Sequence, residues 1–432
     1  MEIIALLLFL LIFILILFGF PVAFAMAGLS VIVGSIFLGV DFFYLLPSRF
    51  IGVMGNQVLI AVPLFIFMGL MLEKSGIAEK LLESMAVLFG KLRGGLAISV
   101  IVVGALLAAS TGIVGATVVT MGLISLPTML KWNYSPELAS GTIASSGTLG
   151  QIIPPSVVLV LLGSVLNVSV GDLFAAAVIP GIILIVSYIV LVILWAKFRP
   201  EAAPSLPEEY LIEKRAKGYY KQLIISFILP LSLIIAVLGS IFAGIASPTE
   251  AAGVGALGAI ILTLAQGKMS FKVMNQVMQG TTHLTAMIFM ILLGASTFSL
   301  VFRGMGGDQL LIEWMTHSDL GPYGFLLLVM AIVFISGFFI DFIEIIFIFV
   351  PVVAPIFIQF QLDLIWVGIL LALNLQTSFL TPPFGFSLFY LKGVAPNSVR
   401  TEHLYRGIIP FIFIQIGVLL LVAFYPQIMI GF

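Results

Sequence analysis

The stretch ASSGTLGQIIPPSVV, residues 144–158, has a counterpart in LNLQTSFLTPPFGFS, residues 373–387. Each joins a short run of small polar residues to a proline pair, and the second pair lies 228 positions after the first. Proline removes a backbone donor and clashes with the preceding turn, so a helix that enters either stretch must end just before its prolines. These matched interruptions, at Pro154 and Pro155 and at Pro382 and Pro383, indicate that the chain contains an internal repeat.

The same register extends along both halves of the chain. Pro355 follows Pro127 by 228 residues, and Pro248 follows Pro21 by 227. The spacing varies by about one residue, which is expected for two repeats that have acquired small insertions or deletions.

The composition identifies the environment of these segments. Of the 432 residues, 62% are hydrophobic and only 9% are charged, whereas a soluble domain typically carries about 25% charged residues. The chain is therefore predicted to be a polytopic membrane protein. Its net charge of −1 offers no electrostatic basis for binding nucleic acid. Cysteine is absent and the three histidines are scattered, so we expect no disulfide, thiolate metal site or cofactor. We also find no nucleophile paired with a base and no phosphate loop, and therefore expect no enzyme.

Two pairs of adjacent apolar runs, at 96–130 and 324–358, have no polar loop between their members. The gaps read ASTGIVG and ISGFFID and lack the charges of a loop in water. Each pair predicts a re-entrant helical hairpin whose tip stays at membrane depth, a position that irregular backbone tolerates only inside protein or beside a wet cavity.

The remaining apolar runs approach the roughly 20 residues needed for a membrane crossing. They give each repeat five transmembrane helices besides its hairpin, and this odd number inverts the second repeat relative to the first. We therefore predict an all-α membrane protein of two inverted repeats, residues 1–197 and 219–432. The broken helices are expected at 137–166 and 364–394.

The polar stretch 198–218 is interpreted as a cytoplasmic linker between the repeats. If the N-terminus is periplasmic, all of the 18 lysines and arginines except Arg49 and Arg303 fall on the cytoplasmic side, as the positive-inside rule requires. The first apolar run lacks a basic flank and a cleavage site, so it is expected to be a retained helix.

Broken helices inside a membrane indicate a binding site. They free backbone carbonyls on one half-helix and amides on the other, which suit a hard cation such as sodium and an anionic substrate. Paired interruptions in two repeats are a pointer to the binding site of a secondary transporter. The structural alternative is that the prolines only kink packed helices.

The first hairpin tip carries Ser110, Thr111 and Gly112, which face Ser145–Thr148 if the repeat packs as expected. They are candidate ligands, although small residues in membrane helices also serve close packing. The second tip carries Asp341 and Glu344 on one helical face. A carboxylate at the bilayer centre costs about 2.5–3.5 kcal/mol, so Asp341 is a candidate cation ligand, with helix capping as the alternative.

Two further charges are candidates away from the tips. Glu250 lies near the start of a helix, where a carboxylate favours the dipole. Arg303 could bind a substrate carboxylate through its bidentate guanidinium or serve as an interfacial anchor.

Five motifs together resemble the large membrane subunit of tripartite ATP-independent periplasmic (TRAP) transporters. They are FPVAFAMAG, STGIVGAT, SSGTLGQIIPPS, SPTEAAGVGA and LQTSFLTPPFG, and the resemblance covers nearly the whole chain. It implies a sodium-coupled importer of an organic acid in the bacterial inner membrane, with the elevator-type architecture of the ion transporter superfamily. It also implies two partners, a small four-helix membrane subunit and a periplasmic substrate-binding protein.

The resemblance also implies the roles of particular residues. The substrate would lie towards Ser110, Ser156, Arg303 and Asp341, while Glu250 and Arg303 would meet partner subunits or substrate. Sodium would bind at two sites. The first comprises Ser110, Thr111, Gly112, Ser145, Gly147 and Thr148, and the second comprises Gly337, Asp341, Asn374, Thr377 and Thr381.

Glu344 departs from the lone aspartate that is usual at the family's second tip. Together with Gln376 and Thr377, it resembles the branch associated with 2-oxo or hydroxy acids, mannitol or chloroaromatic acids. This resemblance favours such a substrate over sialate or a simple C4-dicarboxylate. Two alternatives remain: a stand-alone sodium/dicarboxylate carrier, and an ion-translocating subunit of a redox or antiporter complex. The second would need lysine and histidine at mid-depth, which the predicted topology does not provide.

Overall fold

The computed structural model describes residues 1–215, 219–317 and 321–431, and within these ranges all regular structure is helical. The first half contains α1 Glu2–Leu17, α2 Val22–Phe37, α3 Leu46–Met54, α4 Ala61–Lys74, α5 Ile77–Phe89, α6 Gly95–Thr111, α7 Val114–Lys131, α8 Pro136–Thr148, α9 Val157–Leu166 and α10 Val170–Phe198. The second contains α11 Glu208–Lys214, α12 Tyr219–Leu223, α13 Leu229–Phe242, α14 Pro248–Ala265, α15 Phe271–Gly304, α16 Gly307–His317, α17 Pro322–Ser336, α18 Phe342–Gln359, α19 Leu364–Leu380, α20 Phe386–Val394 and α21 Thr401–Phe424. A π-helical turn, Ile224–Ile228, joins α12 to α13.

The helix boundaries repeat with the period of the prolines. Helices α17 and α18 begin 227 and 228 residues after α6 and α7, and α19 begins 228 residues after α8. The two halves therefore have the same order of elements: a hairpin, a broken helix and a long closing helix. The predicted all-α membrane class is confirmed, while the inversion of the second repeat, which depends on the number of crossings, stays a prediction.

Eight helices are long and apolar enough to cross a membrane, judged by length and composition within the described ranges. They include α7 and α18, the second arms of the two hairpins. Several other apolar helices, such as α1 with 16 residues, are shorter than this limit. The count of five crossings per repeat and the periplasmic N-terminus stay predictions.

Both broken helices end as proline chemistry requires. Helix α8 ends at Thr148, a 3-10 turn covers Leu149–Gln151, and α9 begins at Val157 after the prolines. Helix α19 ends at Leu380, and α20 begins at Phe386. The peptide bonds within both proline pairs are cis.

The hairpins and broken helices of the two repeats pack crosswise. Helix α7 contacts α20, and α18 contacts α9, so the second arm of each hairpin lies against the second half of the other repeat's broken helix. We call α6–α9 together with α17–α20 the central group. Helices α2, α4, α14 and α15 pack mainly on one another and form what we call the frame.

The linker at 198–218 is folded against the first repeat in the part that the structure describes; residues 216–218 lie outside it. Arg215 donates to the carbonyl of Val87 at 3.2 Å, and Lys214 forms an ion pair with Glu83. The hydrogen bond and charge of Glu83 raise the pKa of Lys214. Leu211 is buried. The stretch is therefore docked on α5, whereas its composition predicts only a solvated link.

Candidate ion and substrate site

The first hairpin tip lies against the start of α9. Helix α6 ends at Thr111, and Gly112 adopts φ +61°, a left-handed conformation that glycine accommodates without strain. A Cβ on Gly112 would lie 2.9 Å from Cγ2 of Val157 and 3.0 Å from its backbone nitrogen. The close approach of tip and broken helix therefore requires glycine at this position.

The two arms of the first hairpin also flank the end of α8. A Cβ on Gly104 of α6 would lie 2.6 Å from the hydroxyl oxygen of Ser146, and one on Gly147 would collide with Val118 of α7. These contacts place the 145–148 segment against the arms of the hairpin, about two helical turns from the tip, whereas the tip itself contacts Val157. The first sodium site, which combines the tip with 145–148, stays a prediction.

Hydroxyl groups occur both at the hairpin tip and at the end of α8, and their hydrogens are already engaged. Ser110 and Thr111 both donate to the carbonyl of Leu107, at 2.8 and 3.0 Å. Ser145 donates to Gly141 at 2.7 Å, and Thr148 donates to Ser145. Since these protons point along their own helices, lone pairs on the oxygens remain for a further partner, although the Thr111 oxygen also lies 2.7 Å from the Thr117 hydroxyl. This donor set fits sodium, which prefers hard oxygen ligands.

Ser156 is the N-terminal cap residue of α9. Its hydroxyl donates to the carbonyl of Gln151 at 2.9 Å, which closes the loop around the proline pair. It lies next in sequence to Val157, the residue that Gly112 touches, so it is adjacent to the first tip.

The second tip is built around Asp341. Helix α17 ends at Ser336, and α18 begins at Phe342 with Asp341 as its N-cap residue in an extended conformation. The Asp341 carboxylate makes no standard side-chain capping bond within the described residues, but it interacts with the amide of Phe342, and the Glu344 carboxylate interacts with the amide of Asp341. The ligand role and the capping role of Asp341 both stay predictions. A side chain on Gly337 would collide with the Ser378 hydroxyl, so this tip also lies against its own broken helix.

The second broken helix offers a different donor set. Asn374 donates through Nδ2 to the carbonyl of Met330 on α17 at 2.8 Å, which ties α19 to the hairpin. Thr377 and Thr381 donate to carbonyls of the preceding turn, each at 2.8 Å. The Asn374 amide oxygen, two hydroxyl oxygens and the Asp341 carboxylate thus give this site a charged ligand that the first lacks.

Glu344 lies one helical turn beyond Asp341 and is partly buried. Tyr390 on α20 is close enough to both carboxylates to interact with them electrostatically. The second tip therefore concentrates two acidic groups and one phenol.

Arg303 and Glu250 lie elsewhere. Arg303, in the last turn of α15, donates to the carbonyl of Pro351 at 3.4 Å. Pro351 lies ten residues, or about 15 Å along α18, from Asp341. Glu250 forms a capping box with Ser247 at the start of α14, and its Oε2 accepts from the Ser247 amide at 2.8 Å. The structure does not gather these two charges at the hairpin tips.

Among the residues that the structure describes, three polar contacts join the frame and its connecting turns to the central group. Besides Arg303, they are Asn56, whose Nδ2 donates to Ser164 of α9 at 3.1 Å, and Glu73 of α4, whose carboxylate accepts from Thr120 of α7 at 3.1 Å. The Asn56 contact borders a cavity of about 450 Å³ that is also lined by Arg49. From the sequence alone, Arg49 is only a charge on the periplasmic side, because the residues that surround it in the structure come from distant segments.

Sequence reasoning also misses Gln151 as a site residue. It is fully buried in the turn before Pro154, and its amide atoms have no hydrogen-bond partner among the described residues. A long polar side chain within an otherwise small and apolar run was the available signal. No group of three or more acidic or histidine residues in the described ranges could hold a metal ion.

Two hairpins whose tips meet two broken helices, with polar oxygen atoms near each meeting point, are typical of a membrane transport protein. The chain belongs to the DctM component family of tripartite ATP-independent periplasmic transporters, whose family model matches residues 9–428.

Relatives with different named cargoes resemble the chain to a similar degree. The C4-dicarboxylate TRAP transporter large permease protein DctM of Pseudomonas aeruginosa is 30% identical, over 86% of this chain and 85% of its own length. The ectoine TRAP transporter large permease protein TeaC of Halomonas elongata is 29% identical, over 96% and 95%. The sialic acid TRAP transporter large permease protein SiaM of Vibrio cholerae is 29% identical, over 95% and 93%. All are named as permeases, so the role is transport and not catalysis.

A solved structure shares the fold. The Alcanivorax borkumensis YdaH transporter superposes with a TM-score of 0.65 over 98% of both chains, at 13% sequence identity. This likeness extends over the whole helical order and supports the assignment of fold alone.

Proposed function

We propose that the chain is the permease of a sodium-driven importer of an organic acid, and that it works by an elevator mechanism. The observation that carries the proposal is the pair of non-equivalent oxygen sites where each hairpin tip meets its broken helix. The first site offers neutral hydroxyl oxygens, and the second adds the Asp341 carboxylate. Two cation sites flanking one volume would allow bound sodium to order the tips and raise substrate affinity by linkage.

The substrate is proposed to be a small organic acid. Relatives named for C4-dicarboxylates, ectoine and sialic acid are similarly distant, so identity does not select among them, but all three cargoes carry a carboxylate. Half-helix N-termini at the breaks supply the amides that favour such an anion. Glu344, Gln376 and Thr377 resemble the family branch associated with 2-oxo or hydroxy acids, mannitol or chloroaromatic acids, and this resemblance favours such a substrate.

The mechanism is proposed to be a displacement of the central group against the frame. Contacts within the central group cross between repeats, whereas its recorded polar links to the frame are few. The assembly would lie in the bacterial inner membrane with the N-terminus periplasmic. It would include a small four-helix membrane subunit and a periplasmic binding protein.

Reconstitution tests this function. We expect liposomes containing the permease, its small subunit and its binding protein to accumulate a radiolabelled organic acid when an inward sodium gradient is imposed. Accumulation should stop when sodium is replaced by potassium. Equal uptake by the permease alone would instead support the stand-alone carrier.

Ser110→Ala should weaken this sodium-dependent uptake. The substitution removes one neutral oxygen ligand worth about 1–3 kcal/mol, so apparent sodium affinity should fall by roughly tenfold or more. The measurement is initial uptake against sodium concentration. Ser99→Ala is a matched control, because Ser99 on the same helix also donates to a carbonyl of its own helix, at 2.8 Å, but lies three turns from the tip. Equal sodium dependence in both variants would remove Ser110 from the site.

A further inference from the structure

Two glutamine side chains at the helix breaks are fully buried and have no partner. Neither the amide oxygen nor the amide nitrogen of Gln151 or Gln376 forms a hydrogen bond to the described part of the chain. The neighbouring hydroxyls differ, because Thr148 and Thr377 donate to carbonyls of their own helices. Two carboxamides without a partner therefore remain, Gln151 in the turn before Pro154 and Gln376 in the last part of α19.

The glutamines lie on elements that touch. The turn Leu149–Gln151 contacts α19, the helix that carries Gln376. The same turn lies against α6 near the first tip, since a Cβ on Gly150 would be 2.6 Å from the carbonyl oxygen of Ala108. The turn that carries Gln151 therefore packs on both the first hairpin and the helix that carries Gln376.

We expect such amides to form hydrogen bonds with a bound molecule during the transport cycle. Most buried polar groups in native proteins are hydrogen-bonded, and inside a membrane no bulk water compensates for one that is not. Repeat symmetry does not explain the pair, because 228 positions before Gln376 stands Thr148 and not Gln151. The two carboxamides therefore come from positions that are not equivalent in the two repeats.

The chemistry of a carboxamide restricts that partner. It offers one acceptor oxygen and two N–H donors. A cation would satisfy only the oxygens, and a carboxylate would satisfy only the N–H groups. A hydroxyl group satisfies both kinds, because it donates to one amide oxygen and accepts from the other amide's nitrogen.

We propose that Gln151 and Gln376 form a neutral subsite that binds a hydroxyl group of the substrate, so that the permease prefers hydroxy acids to the same acids without the hydroxyl. The inference rests on the proposed function in one respect, that an organic acid occupies the volume between the breaks. Other groups would bind the carboxylate of the substrate, and the two glutamines would bind the hydroxyl group next to it.

The test uses probe pairs that differ by a single hydroxyl group: propionate with lactate, and succinate with malate. Affinities are measured by thermal-shift titration of the full-length permease in nanodiscs, with sodium and with potassium. In sodium, we expect at least one hydroxy acid to bind roughly tenfold or more tightly than its partner, as one added donor and one added acceptor allow. In Gln151→Met/Gln376→Met this ratio should fall to about one.

Gln415→Met is the matched control. Gln415 on α21 is equally buried, but its amide interacts with the Tyr188 hydroxyl and it is remote in sequence from both breaks, so the ratio should persist. Should the double variant fail to fold, each single substitution should lower the ratio by about threefold.

The outcomes separate the two proposals. A sodium-dependent shift without preference for hydroxy acids, or a preference unchanged in the glutamine variants, would overturn the subsite and indicate that water fills it. The absence of any sodium-dependent shift with every probe would count against sodium-coupled transport itself.

Discussion

Asp341→Asn is expected to abolish sodium-driven uptake while the protein still folds and inserts. Removing one partner of a buried charge pair costs about 3–5 kcal/mol, so apparent sodium affinity should fall by a hundredfold or more. The measurement is initial uptake in liposomes over a range of sodium concentrations, with gel filtration of each variant to establish folding.

This substitution separates the two roles of the residue. Asparagine caps helices about as well as aspartate, so a residue that only starts α18 would tolerate the change with almost no loss. The ligand role is consistent with the lack of a standard side-chain capping bond in the described residues and with the contact between α18 and α19, the helix that carries Asn374. Uptake within about twofold of the unmodified protein would show that Asp341 serves only to cap α18 and does not bind the cation.

Glu344→Gln is the matched control on the same helix. Glu344 is one turn further from the tip, and it adds negative charge near Asp341 without belonging to the proposed ligand set. We expect a reduction of about tenfold or less, through loss of long-range attraction. A larger loss in Glu344→Gln than in Asp341→Asn would indicate that Glu344, and not Asp341, is the cation ligand.

Local chemistry explains why part of this arrangement is predictable. Proline ends a helix through its own ring, and glycine at Gly112 permits a left-handed turn, so the breaks and tips follow from nearby residues. Even the role of Glu250 at a helix start is local, since its capping partner Ser247 is three residues away.

The remaining features depend on contacts between distant segments. Nothing near Arg303 in sequence indicates that it reaches Pro351, and nothing near Gln151 indicates that its amide is buried without a partner. The crosswise packing of α7 on α20 and of α18 on α9 likewise arises from how the two repeats meet. These contacts determine which candidate residues share a site, and a single sequence without pairing information does not contain them.

Cross-linking Asn56→Cys to Ser164→Cys is expected to stop transport. Asn56 precedes the frame helix α4 and Ser164 belongs to the central group, and their side chains are 3.1 Å apart. A displacement of the central group by a few ångströms would already break this contact, so a covalent bond there should hold the carrier in one state. Since the chain has no native cysteine, the engineered pair would supply its only thiols.

Uptake should fall to background after oxidation and recover with reductant, and the reduced double variant provides the baseline. Gly122→Cys/Val394→Cys is the matched control, because a Cβ on Gly122 would lie 2.8 Å from Cγ2 of Val394 and both residues belong to the central group. An elevator moves this group as one body, so its internal cross-link should leave uptake near the baseline. Full uptake with the Asn56 and Ser164 positions cross-linked would rule out displacement at this boundary and require gating by the hairpin tips alone.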